Sequence, residues 1–286
     1  MSIGEKIKNV RVAKMLTQKD LAGDAITRNM LSKIENGVAT PSLPVAIALA
    51  ERLGVPVGYL LSDSPEEEAR FKKYSSYSNI VQAYKLGEWA ICRQLALECL
   101  DGKFDDQELV YFASQSALQM GIEEFDAGNL RLACTYFDEA LSLAENTVLD
   151  GGVAAAKIAP YVDFMGNISP TLGIDGSLPE RCELSCNCDF ALYASRFGRE
   201  MVEDVDFENE SFGLHLEAMR LIEDEKYTEA AQILEKIAAD ISLPVPVRYF
   251  VCSDFENCCT RTGDYKTAYE MSQNKIRILE KMLSAV

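Results

Sequence analysis

Apolar residues in the first sixty positions recur at helical spacing in short bursts, and each burst is closed by a cap or a breaker. Ile3, Ile7, Val10 and Met15 predict an amphipathic helix. Thr17 with Asp20 three residues on forms a near capping box before a two-turn helix that buries Leu21 and Ala22. Thr27 caps the next run, Arg28 to Asn36, in which Leu31 and Ile34 point inward and Gly37 stops the helix in a left-handed conformation. After Pro41, Ser42 is placed to cap a helix carrying Val45, Ile47, Ala48, Leu49 and Leu53, which Gly54 ends. Val55 to Leu61 adds a last short turn of helix, so residues 1–63 read as a five-helix unit.

Beyond it the pattern changes to longer helices. Ser64-Pro65-Glu66-Glu67-Glu68-Ala69 is a junction that starts a new helix, with proline and acids in its first turn. Residues 64–286 then repeat a punctuation: Gly87-Glu88-Trp89, Gly128-Asn129-Leu130, Glu225-Lys226-Tyr227 and Gly263-Asp264-Tyr265, each followed by a small residue or cysteine. The middle gap has room for two units and extra loop. Three apolar stripes follow these anchors: Leu130, Ala133, Phe137, Ala140, Leu141 and Leu143; Tyr227, Ala230, Ala231, Leu234, Ile237, Ala238 and Ile241; and Tyr265, Ala268, Tyr269, Ile276, Leu279 and Leu283. Each is too apolar to stand alone and is expected to pack on neighbours as an array of helix pairs. Residues 166–179, rich in Gly, Pro and Ser, read as a long loop within that array, either a plain insertion or a ligand lid. The expected fold class is all-α throughout.

The helix from Arg28 to Asn36 carries the most legible chemistry. Arg28, Asn29, Ser32 and Lys33 fall on its outer side. Arginine forks onto guanine O6 and N7 and asparagine pairs with adenine N6 and N7, each good contact discriminating by ~1–3 kcal/mol. Gln18 and Lys19 open the preceding helix, where backbone N–H groups and a side chain can hold a phosphate. Thr27 and Asn36 flank the outer face and complete the candidate DNA-binding set. The bland alternative makes Arg28 and Lys33 ordinary solvated charges.

Net charge refines this picture. The chain of 286 residues carries −17, which is unfavourable for DNA until it is divided. Residues 1–63 hold 8 Lys/Arg and 6 Asp/Glu, whereas the remainder holds 20 and 39. The basic surplus is local to the small unit, where a phosphate footprint belongs. The acidic remainder repels DNA, or serves only solubility.

The blocks Leu16-Thr17-Gln18, Leu21-Ala22, Ser32 to Gly37, Pro41-Ser42-Leu43 and Leu49-Ala50 with Leu53-Gly54-Val55 keep a mutual spacing that resembles the lambda-repressor/Cro-like, or XRE, family over residues 3–63. The turn departs from that family: Gly23-Asp24-Ala25-Ile26 is one residue shorter, with its glycine early. The resemblance implies a dimeric DNA-binding domain whose base-reading positions are Arg28, Asn29 and Lys33, with Gln18 beside them. The rest resembles degenerate tetratricopeptide repeats. The two together are similar to peptide-sensing regulators of Gram-positive bacteria. The expectation is therefore a homodimeric transcriptional regulator that binds double-stranded DNA, its helical region dimerising, binding a peptide or small-molecule effector, or both. The alternative is a protein-interaction adaptor working through the acidic array.

Other chemistry finds little support. Cys182, Cys186 and Cys188, with Cys258 and Cys259, lack the paired spacing of a zinc site, and His215 is the sole histidine. No metal, cofactor or catalytic residue is assigned, and no nucleophile or phosphate-loop motif suggests an enzyme. No apolar run of roughly 18 residues and no signal peptide is present, which leads to the expectation of a cytoplasmic protein with reduced thiols.

Overall fold

The computed structural model describes residues 1–62, 64–100, 106–145, 151–174, 188–198 and 206–284. Among these the chain is all-α, with fifteen helices and no strand. It divides into two compact units, Met1–Leu86 and Gly87–Val286. The boundary read from sequence lies one helix earlier, because contacts group the helix starting at Pro65 with the first unit.

The first unit contains α1 (Ile3–Ala13), α2 (Gln18–Ala22), α3 (Arg28–Glu35), α4 (Leu43–Leu53), α5 (Val57–Leu61) and α6 (Pro65–Leu86). Its core is small: Ile7, Leu21, Leu31, Ile34, Leu49, Leu53 and Leu60 are buried together. Gly4 is what brings α1 against α3, since a Cβ there would stand 1.9 Å from the Ile34 carbonyl oxygen. Lys6 is fully buried and ties α1 to the end of α5, donating to the Ser62 hydroxyl at 2.7 Å and to the Tyr59 carbonyl at 3.2 Å.

Two expectations are corrected here. Met15 does not continue the apolar face of α1; it is 93% exposed and left-handed (φ 55°), forming the turn after the helix. Ser42 occupies the cap position of α4, but its hydroxyl makes no capping bond. Pro44 in the first turn has no N–H to offer it. Thr17, by contrast, forms a complete capping box with Asp20.

The second unit contains α7 (Trp89–Glu98), α8 (Gln107–Ala127), α9 (Leu130–Glu145), α10 (Gly151–Gly166), α11 (Asp189–Arg196), α12 (Glu210–Glu223), α13 (Tyr227–Ile237), α14 (Val245–Thr262) and α15 (Tyr265–Ser284). Each helix packs on the next, and α8 also meets α10 and α14. All four sequence anchors fall at left-handed residues two positions before a helix: Gly87, Gly128, Glu225 and Gly263. The last three share one bonding pattern. At Gly128, for example, the Gly128 N–H donates to the Phe125 carbonyl at 2.9 Å and the Asn129 N–H to the Glu124 carbonyl at 2.8 Å. This pair of hydrogen bonds closes a helix and starts the return.

Aromatic rings fill the centre of this unit. Phe164 contacts Phe125, Phe190, Tyr193, Phe197 and Phe250. His215 is buried among them; its Nδ1 lies 2.8 Å from the Tyr193 hydroxyl and its Nε2 3.1 Å from Asp254. Its role is structural, joining α11, α12 and α14. The first two apolar stripes are largely buried, but Ile241 is exposed, and so are Tyr265, Tyr269, Ile276 and Leu283 of the third. Residues 167–172 of the expected loop form turns after α10, and its part beyond residue 174 lies outside the described residues.

Burial pushes the thiols of Cys134 and Cys258 up to about 11, and those of Cys92, Cys252 and Cys259 upward as well. They are core thiols, unreactive at neutral pH. Cys188 caps α11 through its sulfur, while Cys182 and Cys186 lie outside the described residues. Among the described residues no cluster of His, Cys, Asp or Glu is arranged to hold a metal, and no helix is long and apolar enough to cross a membrane.

Candidate nucleic-acid interface

The outer face of α3 is built from both ends. At its start the Thr27 hydroxyl accepts the Met30 N–H at 3.2 Å. At its finish Gly37 is left-handed (φ 72°); its N–H donates to the Ile34 carbonyl at 3.0 Å, and the Val38 N–H to the Lys33 carbonyl at 2.8 Å. Between these stops the wheel has a buried and an exposed side, with Met30 exposed beside the polar residues in the sequence but outside their arc. Leu31 and Ile34 are fully buried. Arg28, Asn29, Lys33 and Asn36 are exposed, and Ser32 is half-buried among them. At 3.6 residues per turn these five span an arc of about 140°. That width suits a helix laid in a major groove.

One edge of α3, beside Arg28 on the wheel, is fastened by charge. Glu35 is buried and accepts from the Arg11 Nε at 2.6 Å, the Arg11 Nη2 at 3.0 Å and the Gln18 amide at 2.8 Å. Arg11 also donates to the Leu16 carbonyl at 2.9 Å. One carboxylate thus joins α1, the start of α2 and the end of α3. Burial alone would raise the Glu35 carboxyl, but the bonds from Arg11 and Gln18 outweigh it and hold it below the ordinary glutamate value. The Arg11 guanidinium is correspondingly held above its own ordinary value, chiefly by its bond to Glu35.

The short turn between α2 and α3 also has a physical basis. Gly23 takes φ 46° and ψ −131°, a conformation suited to glycine. The guanidinium of Arg52 from α4 lies where a Cβ would be, 1.6 Å from its Nη1, and donates to the Leu21 carbonyl at 3.3 Å. Ile26 then packs against the core. An open cleft of about 430 Å³ runs along this turn, lined by Lys19, Thr27 and Arg28, with Asp24 among them.

The structure therefore gathers Lys19, Thr27, Arg28, Asn29, Ser32, Lys33 and Asn36 around the front of α3 and the turn. Gln18 is engaged differently from expectation, because its amide N–H is committed to Glu35. Arg11, Glu35, Arg52 and Gly4 were not read from sequence as parts of this site. Glu35 had a signal: it lies four residues after the inward Leu31, so a carboxylate on the buried face required a cationic partner. Gly4 and Arg52 had none, since each acts through a distant helix.

Residues 7–60 match the protein-family model described as Helix-turn-helix. No curated protein matches the chain. Two solved structures are similar to it. The crystal structure of Bacillus thuringiensis PlcR in complex with the peptide PapR7 and DNA is 17% identical, covering 98% of this chain and 96% of that one, with a TM-score of 0.23. The apo form of the competence regulator ComR from Streptococcus vestibularis is 16% identical, covering 99% of this chain and 93% of that one, with a TM-score of 0.24. At TM-scores this low neither likeness bears on function.

Proposed function

Taking residues 7–60 as a helix-turn-helix DNA-binding domain, we propose that the chain is a sequence-specific transcriptional regulator that binds its operator as a homodimer. Arg28, Asn29 and Lys33 read base edges. Lys19, Thr27, Ser32 and Asn36 hold the flanking backbone, and the free oxygen of Gln18 lies at the edge of this set. The observation that carries the reading is the outward arc of α3, polar and exposed in front while its edge is bonded into the protein through the buried Glu35. Two half-sites about one helical turn apart are the expected operator form. The helical array following the domain, tetratricopeptide-like in its paired helices and left-handed turns, dimerises, binds an effector, or does both. A short peptide is the first effector class to test, because stacked helix pairs present an extended surface.

The test is selection of a duplex from a random library with the full chain, followed by binding measurements over a salt series. Wild type should enrich a two-fold sequence and show a steep salt slope. Arg28→Ala should cost roughly 10- to 100-fold on the selected duplex and relax one position per half-site. Lys33→Ala should weaken binding and flatten preference at a neighbouring position. No enrichment, or both variants binding as wild type does, overturns the assignment. The adaptor reading rests on the acidic charge of residues 64–286; stoichiometric capture of a basic protein by a chain that binds no duplex would favour it.

A further inference from the structure

The stripe expected to bury α15 faces two ways. Ala268 and Met282 are buried against the array, whereas Tyr265, Tyr269, Ile276 and Leu283 are 72%, 65%, 44% and 41% exposed. At 3.6 residues per turn these four fall within an arc of about 40°. Ser272 and Leu279, both half-buried, occupy the remaining positions of the same seam. The result is a heptad pattern: Tyr269, Ile276 and Leu283 in one series and Tyr265, Ser272 and Leu279 in the other. Four large apolar side chains in one line on an outer helix mark an interaction surface.

Charge identifies the occupant. Residues 64–286 are strongly acidic, yet α15 carries Lys266, Lys275, Arg277 and Lys281 against Glu270 and Glu280. One flank of the seam is closed by the protein itself: Ala268 and Met282 are buried and Lys275 pairs with Glu256 of α14. The open flank presents Lys266, Gln273 and Glu280, one heptad apart. Turned antiparallel onto a second copy, that order is its own complement. Lys266 meets Glu280 of the second copy, Glu280 meets its Lys266, and the two Gln273 amides face each other at the axis. In the apolar seam Tyr265 then opposes Leu283, Tyr269 opposes Leu279, and Ile276 lies near the centre. A parallel pair would instead turn this open flank toward the flank of the second copy that is already closed by Ala268, Met282 and the Lys275–Glu256 pair.

We infer that two copies of this chain pair through antiparallel α15 helices. The inference rests on the dimeric part of the proposed function and names its surface, and it is measured without DNA. Sedimentation of the full chain over a concentration series should show a reversible dimer. Ile276→Glu, at an exposed position, should weaken that dimer roughly 30-fold or more while helicity is unchanged. Lys266→Glu and Glu280→Lys should each weaken it about two- to five-fold, because each breaks two symmetry-related pairs, and the double variant should recover. A wild type that stays monomeric at high micromolar concentration overturns the inference, as does a dimer indifferent to Ile276→Glu. Single swaps that weaken the dimer with no recovery in the double variant overturn the antiparallel register. Affinity for one isolated half-site is read separately, so a failed dimer and a failed DNA reading remain distinguishable.

Discussion

The two units are held together by different physics. The first has a small apolar core and relies on directional bonds: Glu35 clamped by Arg11 and Gln18, and Lys6 seated on Ser62 and the Tyr59 carbonyl. The second relies on a large aromatic cluster around Phe164 and on one turn design used repeatedly. Dispersion and hydrophobic burial are non-directional and tolerate small rotations of a helix. A buried carboxylate with three donors does not, because a shift that breaks one bond leaves charge unpaired. Directional bonds of this kind therefore hold α3 at one angle in the first unit. Bulk burial predominates in the second unit, whose helices stack one on the next.

The largest effect should separate the units. Phe164→Ala should cost ~3–5 kcal/mol by opening a cavity among five rings. In calorimetry it should lower the transition of the second unit and leave that of the first in place. Equal lowering of both would break the comparison. Glu35→Ala should cost about 3 kcal/mol, since it leaves a mostly buried guanidinium without its carboxylate. It should also weaken DNA binding, although Glu35 is itself buried and bonded within the protein. Unchanged DNA affinity would show that the clamp does not set the angle of α3.

Acid should sharpen the same contrast. Glu35 is held below its ordinary value of about 4.5 when folded. Its contribution is therefore fully present above the unfolded value and disappears as pH falls through the lower, folded one. The melting temperature of the first unit should be flat near neutrality and should fall below about pH 4.5, and Glu35→Ala should show a shallower fall. The smallest effect belongs to the second unit. Glu225 is left-handed (φ 60°) where its three counterparts are glycine. Glu225→Gly should raise stability by about 1 kcal/mol by removing the strain of a Cβ in that conformation, and a loss would show that the turn is held by the side chain.

Local signals were legible in the sequence and distant ones were not. Thr17, Thr27, Gly37 and the four turn anchors act within a few residues, so spacing alone located them. The inward Leu31 and Ile34 followed from the period of a helix. Met15 misled because a left-handed non-glycine residue mimics one more apolar turn. Gly4, Lys6 and Arg52 act across the fold, where no periodicity reports. The third stripe is apolar as its spacing indicated but is not packed on neighbours as a whole, because α14 covers only the Ala268 side of α15 and leaves Tyr265, Tyr269, Ile276 and Leu283 exposed. Residues on the front of α3 were legible because exposed polar positions alternate with buried ones on a single short helix.

If the front of α3 lies in a groove, close contact with DNA should centre on that face. Photo-crosslinking tests it directly, with p-azidophenylalanine placed in turn at Asn29, at Lys33 and at the exposed Glu51 of α4, on the full chain bound to its selected duplex. The expected result is strong crosslinking to DNA from positions 29 and 33 and background from 51. Crosslinking from 51 alone, or equally from all three, would contradict it.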